Sequence, residues 1–176
     1  MTRTTALFLA SLTALTLGAV SWLTGSAAPA AAHDSTTTLS FDVHFAGFFL
    51  LDFGPDGVHQ VTSFNQPFDP SRGDQTMFRD QMLRNGKVVG HDGGLCTVTE
   101  FVPTDPDPIK LTCQVNFELP GGQITTEGLT TNNPVKHLAV TGGTGRYTGA
   151  AGDLVLTEFG ENDAGSAVFH LVGVRG

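Results

Sequence analysis

The sequence predicts an all-β domain, either a β-sandwich or an up-and-down β-barrel. After residue 32, no window of a dozen residues keeps apolar positions at the helical period without a Gly or Pro interrupting it. Short segments instead alternate polar and apolar residues, and turn-forming residues separate them; the chain contains 22 Gly and 9 Pro. Several short strands with regular turn signals are typical of sandwiches and barrels.

The first 32 residues have the pattern of a secretory signal peptide. Arg3 precedes an uncharged apolar stretch, Ala6 to Leu23, and a small-residue run then ends before His33. A single membrane anchor is the alternative, because the apolar stretch approaches the length of a bilayer span. The small-residue run follows directly and no basic stop-transfer cluster does, so we expect a cleaved signal-peptide helix at 1–32 and no stable membrane anchor. Residues 33–176 are then a secreted domain.

The predicted strands follow one another without a linker or a change in composition, which indicates one domain. They are Thr38–Phe45, Leu95–Val102, Ile109–Leu119, Gln123–Leu129, Leu138–Thr141, Asp153–Phe159 and Val168–Val172.

Phenylalanines crowd the first predicted strand and its continuation. The odd-numbered ones from Phe41 to Phe53 share one face of a continuous strand, and Phe48 falls on the other face. Either a partner covers the second apolar face, or a bulge at Gly47 re-aims the chain and returns Phe48 to the core.

The segments 95–102 and 109–119 form a predicted hairpin around a Pro-rich turn. Alternation places Cys96, Val98, Glu100 and Val102 on the buried face, with both cysteines facing each other across the hairpin. In an oxidising compartment we expect a Cys96–Cys113 disulfide; the alternative is a free thiol facing a ligand cavity.

Charge and residue spacing exclude several functional classes. The formal net charge of −8 argues against a nucleic-acid partner. Two cysteines cannot form a four-Cys zinc site, and the six histidines form no HxH or HxxxH pair, so we expect neither a metal nor a cofactor. The glycine-rich run 142–149 lacks a phosphate-loop motif and precedes a strand, which favours a turn and a kinked strand in a closed sheet.

Three motifs carry a resemblance to a known superfamily. Gly93–Cys96 reads Gly-Gly-Leu-Cys, Gly142–Gly145 reads Gly-Gly-Thr-Gly, and Gly73–Phe78 fits Gly-Asp-x-x-x-Phe. With these motifs the chain resembles the allene oxide cyclase and dirigent superfamily. The resemblance implies an eight-stranded antiparallel up-and-down β-barrel, and it implies a homotrimer because related barrels of both branches are trimers.

The resemblance also suggests candidate site residues. In the cyclases a carboxylate on the first strands, a Cys and a Tyr serve a lumen that holds an unstable allene oxide. Here Asp80 falls where the cyclases have an Asn, Cys96 occupies the Cys position, and Thr130 lies near the place of the missing Tyr. Asp42 is a candidate for the first-strand carboxylate, and His44 shares its polar face, which is either solvated or part of a lumen.

Two functions of different classes follow. In the first, a secreted barrel binds a small apolar, reactive intermediate and directs its cyclisation or coupling, with Asp42, His44 and Asp80 as candidate catalytic residues and Cys96 and Thr130 as candidate ligand-binding residues. In the second, a secreted or cell-surface barrel is not catalytic and simply holds a small ligand. A buried carboxylate with a raised pKa beside a cavity favours the first, and a lumen filled by Phe and Val side chains favours the second.

Overall fold

All the strands predicted from alternation are present, and four short strands that the pattern missed complete the sheet. The computed structural model describes residues 36–54, 57–61, 69–160 and 164–174. Its strands are β1 Thr37–His44, β2 Phe48–Asp52, β3 His59–Val61, β4 Gln75–Phe78, β5 Gln81–Arg84, β6 Lys87–Phe101, β7 Ile109–Leu119, β8 Gly122–Thr131, β9 Val135–Gly143, β10 Ala151–Glu158 and β11 Ala164–Val172.

The sheet closes into a barrel of eight antiparallel strands, as predicted. Along the sheet β5, β1, β11, β10, β9, β8 and β7 are neighbours, and β7 also pairs with β6 to close the ring. Strand β6 pairs with β5 through its first half and with β4 through its second half. Strands β1 and β2 therefore act as one interrupted strand, and β4 and β5 as another. Closure leaves the ring without a free hydrogen-bonding edge.

Helix is nearly absent from the part of the chain that the structure describes. A three-residue 3₁₀ helix, Gly145–Tyr147, is the one helix among those residues. Within the same residues, no helix is long and apolar enough to cross a membrane. The predicted signal-peptide helix, residues 1–32, lies outside the described residues.

The inward faces of the strands pack the barrel with apolar side chains. Phe117 and Phe169 are fully buried, and their rings meet edge to face with centroids 4.9 Å apart. Phe41 extends the stack, 6.2 Å from Phe169. Such edge-to-face pairs add to the free energy gained by burying the rings. The middle of the lumen is therefore filled.

The predicted hairpin forms between β6 and β7 and contains the predicted disulfide. Cys96 lies directly opposite Cys113, and their sulfur atoms are bonded. The pairing shifts by one residue between Val98 and Glu100. The prediction that Glu100 faces inward is wrong, because this bulge turns its side chain to the exposed face.

A break in the first strand changes which phenylalanines face inward. Before the break, Phe41 and Val43 face the core; after it, Leu50 and Asp52 are the buried residues of β2. The inward positions thus change from odd to even numbers, and Phe48 shares the face of Leu50. Gly47 lies in this break with φ +138°, a conformation that favours glycine. The structure shows the change of face at Gly47 that the bulge interpretation requires, but Phe48 is only half-buried and the same change turns Phe49 to the other face.

The glycine-rich run forms a tight turn and not a phosphate loop. A Cβ atom on Gly145 or Gly122 would overlap the backbone of the facing segment, so the two segments touch main chain to main chain. The backbone N–H of Arg146 donates to the carbonyl oxygen of Gly121 at 2.8 Å. Strand β10 follows, as the sequence predicts.

Candidate functional site

Two buried aspartates meet where neighbouring strands of the barrel are interrupted. Asp80 lies in the gap between β4 and β5, and Asp92 lies beside it on the lumen side of β6. The backbone N–H of Asp80 donates to Oδ1 of Asp92 at 3.0 Å, and the N–H of Asp92 donates to the carbonyl oxygen of Asp80 at 3.2 Å. Oδ1 of Asp80 accepts from the N–H of Ala46, in the break between β1 and β2, at 2.9 Å. The carboxylates thus replace ladder hydrogen bonds that the interrupted strands lack.

The surroundings raise the pKa of both carboxyl groups. Burial, reinforced by the negative charge of Asp80, raises the pKa of Asp92 to about 7. Burial also raises the pKa of Asp80, although the Ala46 hydrogen bond and nearby His44 lower it in part; the charge of Glu158 raises it further. Asp92 is therefore a carboxyl group that both takes up and releases a proton near neutral pH.

A buried lysine lies at the same end of the barrel. Lys136 shares the inward face of β9 with Leu138 and Val140 and is 8% exposed. Its Nζ donates to Oε1 of Glu158 at 2.6 Å and to the carbonyl oxygen of Asn133 at 2.8 Å. Glu158 ends β10, and its side chain is 40% exposed, so this ion pair reaches solvent.

We call these four residues, Asp80, Asp92, Lys136 and Glu158, the polar rim. Strand pairing brings the end of β10, the start of β9 and the start of β5 to one end of the barrel. The charge of Glu158 is felt by Asp80, which links the two halves of the rim electrostatically. The rim borders the apolar lumen, since Asp92 is paired with Phe117 across β6 and β7. It combines a carboxyl group whose pKa is raised to about 7 with a cation beside an apolar surface.

Another buried aspartate has a structural role instead. Asp74 accepts hydrogen bonds from the backbone N–H of Phe53 and from both the N–H and the hydroxyl of Ser71, at 2.6 to 2.9 Å. These three donors fix the loop before β4. A carboxylate satisfied by so many local donors is a capping group, which sets Asp74 apart from Asp92.

The structure separates the residues that the sequence suggested. Asp80 lies in the polar rim. Asp42 and His44 are exposed on the outward face of β1, although His44 is close enough for its charge to act on Asp80. Cys96 is held in the disulfide, so it presents no free thiol. Thr130 is half-buried on β8 opposite Leu111, and Leu111 pairs with Val98, which lies well along β6 from Asp92.

Sequence reasoning missed Asp92, Lys136 and Glu158. Alternation could have found two of them. Lys136 lies two residues before the inward Leu138 on β9, and Glu158 lies two residues after the inward Leu156 on β10, so both fall on the inward face. Asp92 gave no such signal, since glycines interrupt the alternation around it. Among the residues that the structure describes, no group of three His, Cys, Asp or Glu side chains is arranged to hold a metal ion.

Comparison with known proteins gives both a family and structural neighbours. A family model described as an allene oxide cyclase barrel like domain matches residues 58–171. A comparison with curated proteins found no match. A solved structure described as pyocyanin demethylase is 28% identical, with a TM-score of 0.64, and the alignment covers 77% of this chain and all (100%) of that one.

More distant neighbours share the fold. A Diels Alderase from Streptomyces koyangensis is 16% identical with a TM-score of 0.56, covering 80% of this chain and 69% of its own. A pterocarpan synthase dirigent protein is 16% identical with a TM-score of 0.51, covering 81% of this chain and 98% of its own.

Proposed function

Because the chain belongs to the allene oxide cyclase barrel-like family, we propose that it binds a small apolar organic molecule at the polar rim and directs its conversion by proton transfer through Asp92. Cyclisation and coupling are the reactions that the family resemblance suggests. The name of the 28% identical neighbour adds demethylation of a small organic molecule to the chemistry that related barrels carry out.

The observation that carries this proposal is the lumen-facing Asp92, whose pKa is raised to about 7. A general acid–base group works best when its pKa is near the working pH, and here burial and the Asp80 charge bring a carboxyl group into that range. The apolar side chains at the rim, among them Leu156 beside Lys136, supply a surface on which a flat or folded ligand can be held in one orientation.

The experiment is turnover by the purified protein of a panel of small aromatic and polyene compounds that includes pyocyanin. Asp92→Asn keeps the oxygen that accepts from the N–H of Asp80 but cannot exchange a proton. We expect this variant to bind the compound that the wild type converts, but to lose about 100-fold or more in kcat/KM, the usual contribution of a general acid or base. In the wild type, kcat/KM should change with pH through about 7. Glu127→Gln, an exposed carboxylate on the outward side of β8, is the matched control.

The second candidate function is a non-catalytic ligand-binding barrel. Phe41, Phe117 and Phe169 support it, since their packed rings fill the middle of the lumen. Compounds that bind to the wild type without being converted would favour this function over the first.

We also propose that the protein is secreted. The signal pattern of residues 1–32 supports this, and so does the Cys96–Cys113 disulfide, since such bonds persist mainly in oxidising compartments.

A further inference from the structure

Lys136 is an unusual residue for the inside of a small barrel. It is 8% exposed, and the next inward residues of β9, Leu138 and Val140, are apolar. Taking an ammonium group out of water is costly, and a buried ion pair seldom stabilises a protein more than well-packed apolar side chains would. The fold alone therefore does not require a lysine here.

The contacts of the ammonium group leave capacity for a ligand. An ammonium has three N–H donors, and among the described residues Glu158 and the Asn133 carbonyl accept two of them. The paired strand places Leu156 beside Lys136, so the wall next to the charge is apolar. Because the Glu158 side chain is 40% exposed, the ion pair opens to the barrel end and not to a sealed core.

The position of the lysine relative to the aspartates sets where a ligand lies. Glu158, which binds Lys136, is near enough to Asp80 to influence its ionisation, and Asp80 is hydrogen-bonded to Asp92. A ligand whose oxygen contacts Lys136 therefore lies at the open end of the barrel beside Leu156, between the lysine and the aspartate pair and outside the part of the lumen that the phenylalanine rings fill.

We infer that Lys136 determines substrate class by binding a carbonyl or phenolate-type oxygen on a small conjugated ligand. This inference rests on the proposed function, because it uses the same rim and the same apolar ligand. Glu158 is then a positioning residue: it holds the ammonium in place and keeps the pair neutral when no ligand is bound. The lysine hydrogen bond to the ligand oxygen gives the barrel a preference for oxygenated over plain aromatic molecules.

Binding of two matched probes tests the inference. 4-Nitrophenolate carries the oxyanion and nitrobenzene lacks it, and both are titrated into the full-length or naturally processed protein by calorimetry at a pH where the phenol is ionised. We expect the wild type to prefer 4-nitrophenolate. Lys136→Met should weaken binding of this probe by about tenfold or more, as expected for loss of a hydrogen bond from a charged donor, and leave nitrobenzene unchanged. Binding to the wild type should also shift the absorption band of 4-nitrophenolate. Lys136→Arg should restore part of the preference and part of this shift.

The variants are chosen so that misfolding does not imitate the result. Lys136→Met combined with Glu158→Gln removes both charges, which avoids a buried unpaired carboxylate, and circular dichroism checks the fold. Equal binding of the two probes, or an unchanged preference in a folded double variant, overturns the role of Lys136 while leaving the proposed function in place. Failure of the wild type to bind either probe overturns the inference, and loss of the proposed function is judged separately by the absence of turnover across the panel.

Discussion

Asp92 links the stability of the barrel to the chemistry that we propose for it. Its carboxyl group lies on the lumen side of β6, and burial together with the charge of Asp80 brings its pKa to about 7. Because the folded protein holds this proton more tightly than the unfolded chain does, the group favours folding most at low pH. The raised pKa on which the proposed proton transfer rests therefore weakens the fold above neutral pH.

We predict that Asp92→Asn flattens the pH dependence of the free energy of unfolding. An unfolded aspartate releases its proton near pH 4, whereas Asp92 in the folded protein does so at about 7. The stabilising contribution is complete below about pH 4 and is lost as the pH rises through about 7, at a cost of a few kcal/mol. Urea denaturation at about pH 5 and about pH 8 measures the change, and the wild type should lose more stability than the variant.

Asp42→Asn is the matched control for this prediction, since Asp42 is an exposed aspartate on the outward face of β1. It should follow the wild-type pH dependence. Parallel curves for the wild type and Asp92→Asn would show that Asp92 is ionised in the folded protein across this range.

At the scale of single elements, alternation was sufficient where strands run without interruption. Strand β7 has the predicted bounds, Ile109–Leu119, because its inward and outward residues alternate along its full length. Strands β2 to β5 were missed, since they are short and are separated by breaks whose hydrogen bonds come from side chains such as Asp80. Periodicity along one strand carries no information about such contacts between distant segments.

The site was less predictable than the fold for a related reason. The family resemblance pointed to Asp80, but the polar rim depends on four segments that meet through strand pairing. An inward lysine such as Lys136 contradicts the rule that charged residues face water. Its polarity alone would therefore assign this position to the outward face.

The disulfide between β6 and β7 gives a prediction for this hairpin. Closing the loop between Cys96 and Cys113, 17 residues apart, should stabilise the fold by roughly 3 kcal/mol through the entropy of the unfolded chain. The free energy of unfolding of the variant with both cysteines changed to Ala should be lower by that amount, and the variant should therefore unfold at a lower urea concentration. Thiol labelling of the denatured, unreduced wild type checks the bond itself: two labelled cysteines would show that it is absent.

The glycine turn gives a prediction that separates steric overlap from backbone conformation. Gly122 has φ +149°, and a Cβ atom there would overlap the carbonyl oxygen of Thr144. Gly86 has φ +71° but nothing within 4 Å of a Cβ. We expect Gly86→Ala to cost about 1 kcal/mol, and Gly122→Ala to cost several times more or to prevent folding. Thermal unfolding of both variants makes the comparison, and equal losses would show that the overlap is relieved without cost.

At the scale of the whole molecule, the family resemblance predicts a trimer. The break at Gly47 puts Phe48 on the face of Leu50, but the same change turns Phe49 to the other face of β2, and Phe53 is 44% exposed. The outward phenylalanines support a covering partner, and the resemblance gives the number of copies. Light scattering at micromolar concentration should give three times the mass of one chain, and a mass equal to one chain would contradict it.

Export gives a second prediction at this scale. If residues 1–32 are a signal peptide, the secreted protein begins near His33. Intact-mass measurement of the protein from culture medium should find this species with two hydrogen atoms fewer than the reduced form, because of the disulfide. A species that still contains Phe8–Leu23 would show that the segment is retained.

The main-chain contact between Gly122 and Gly145 has a consequence for how relatives of this protein are found. Both positions exclude any side chain for reasons of space, so they mark how the barrel is built whatever the barrel does. A search keyed on Gly-Gly-Thr-Gly will gather barrels of unrelated chemistry. A search that also requires acidic residues at the spacing of Asp80 and Asp92, and a lysine on the inward face of β9, would instead select the barrels that share the proposed polar rim.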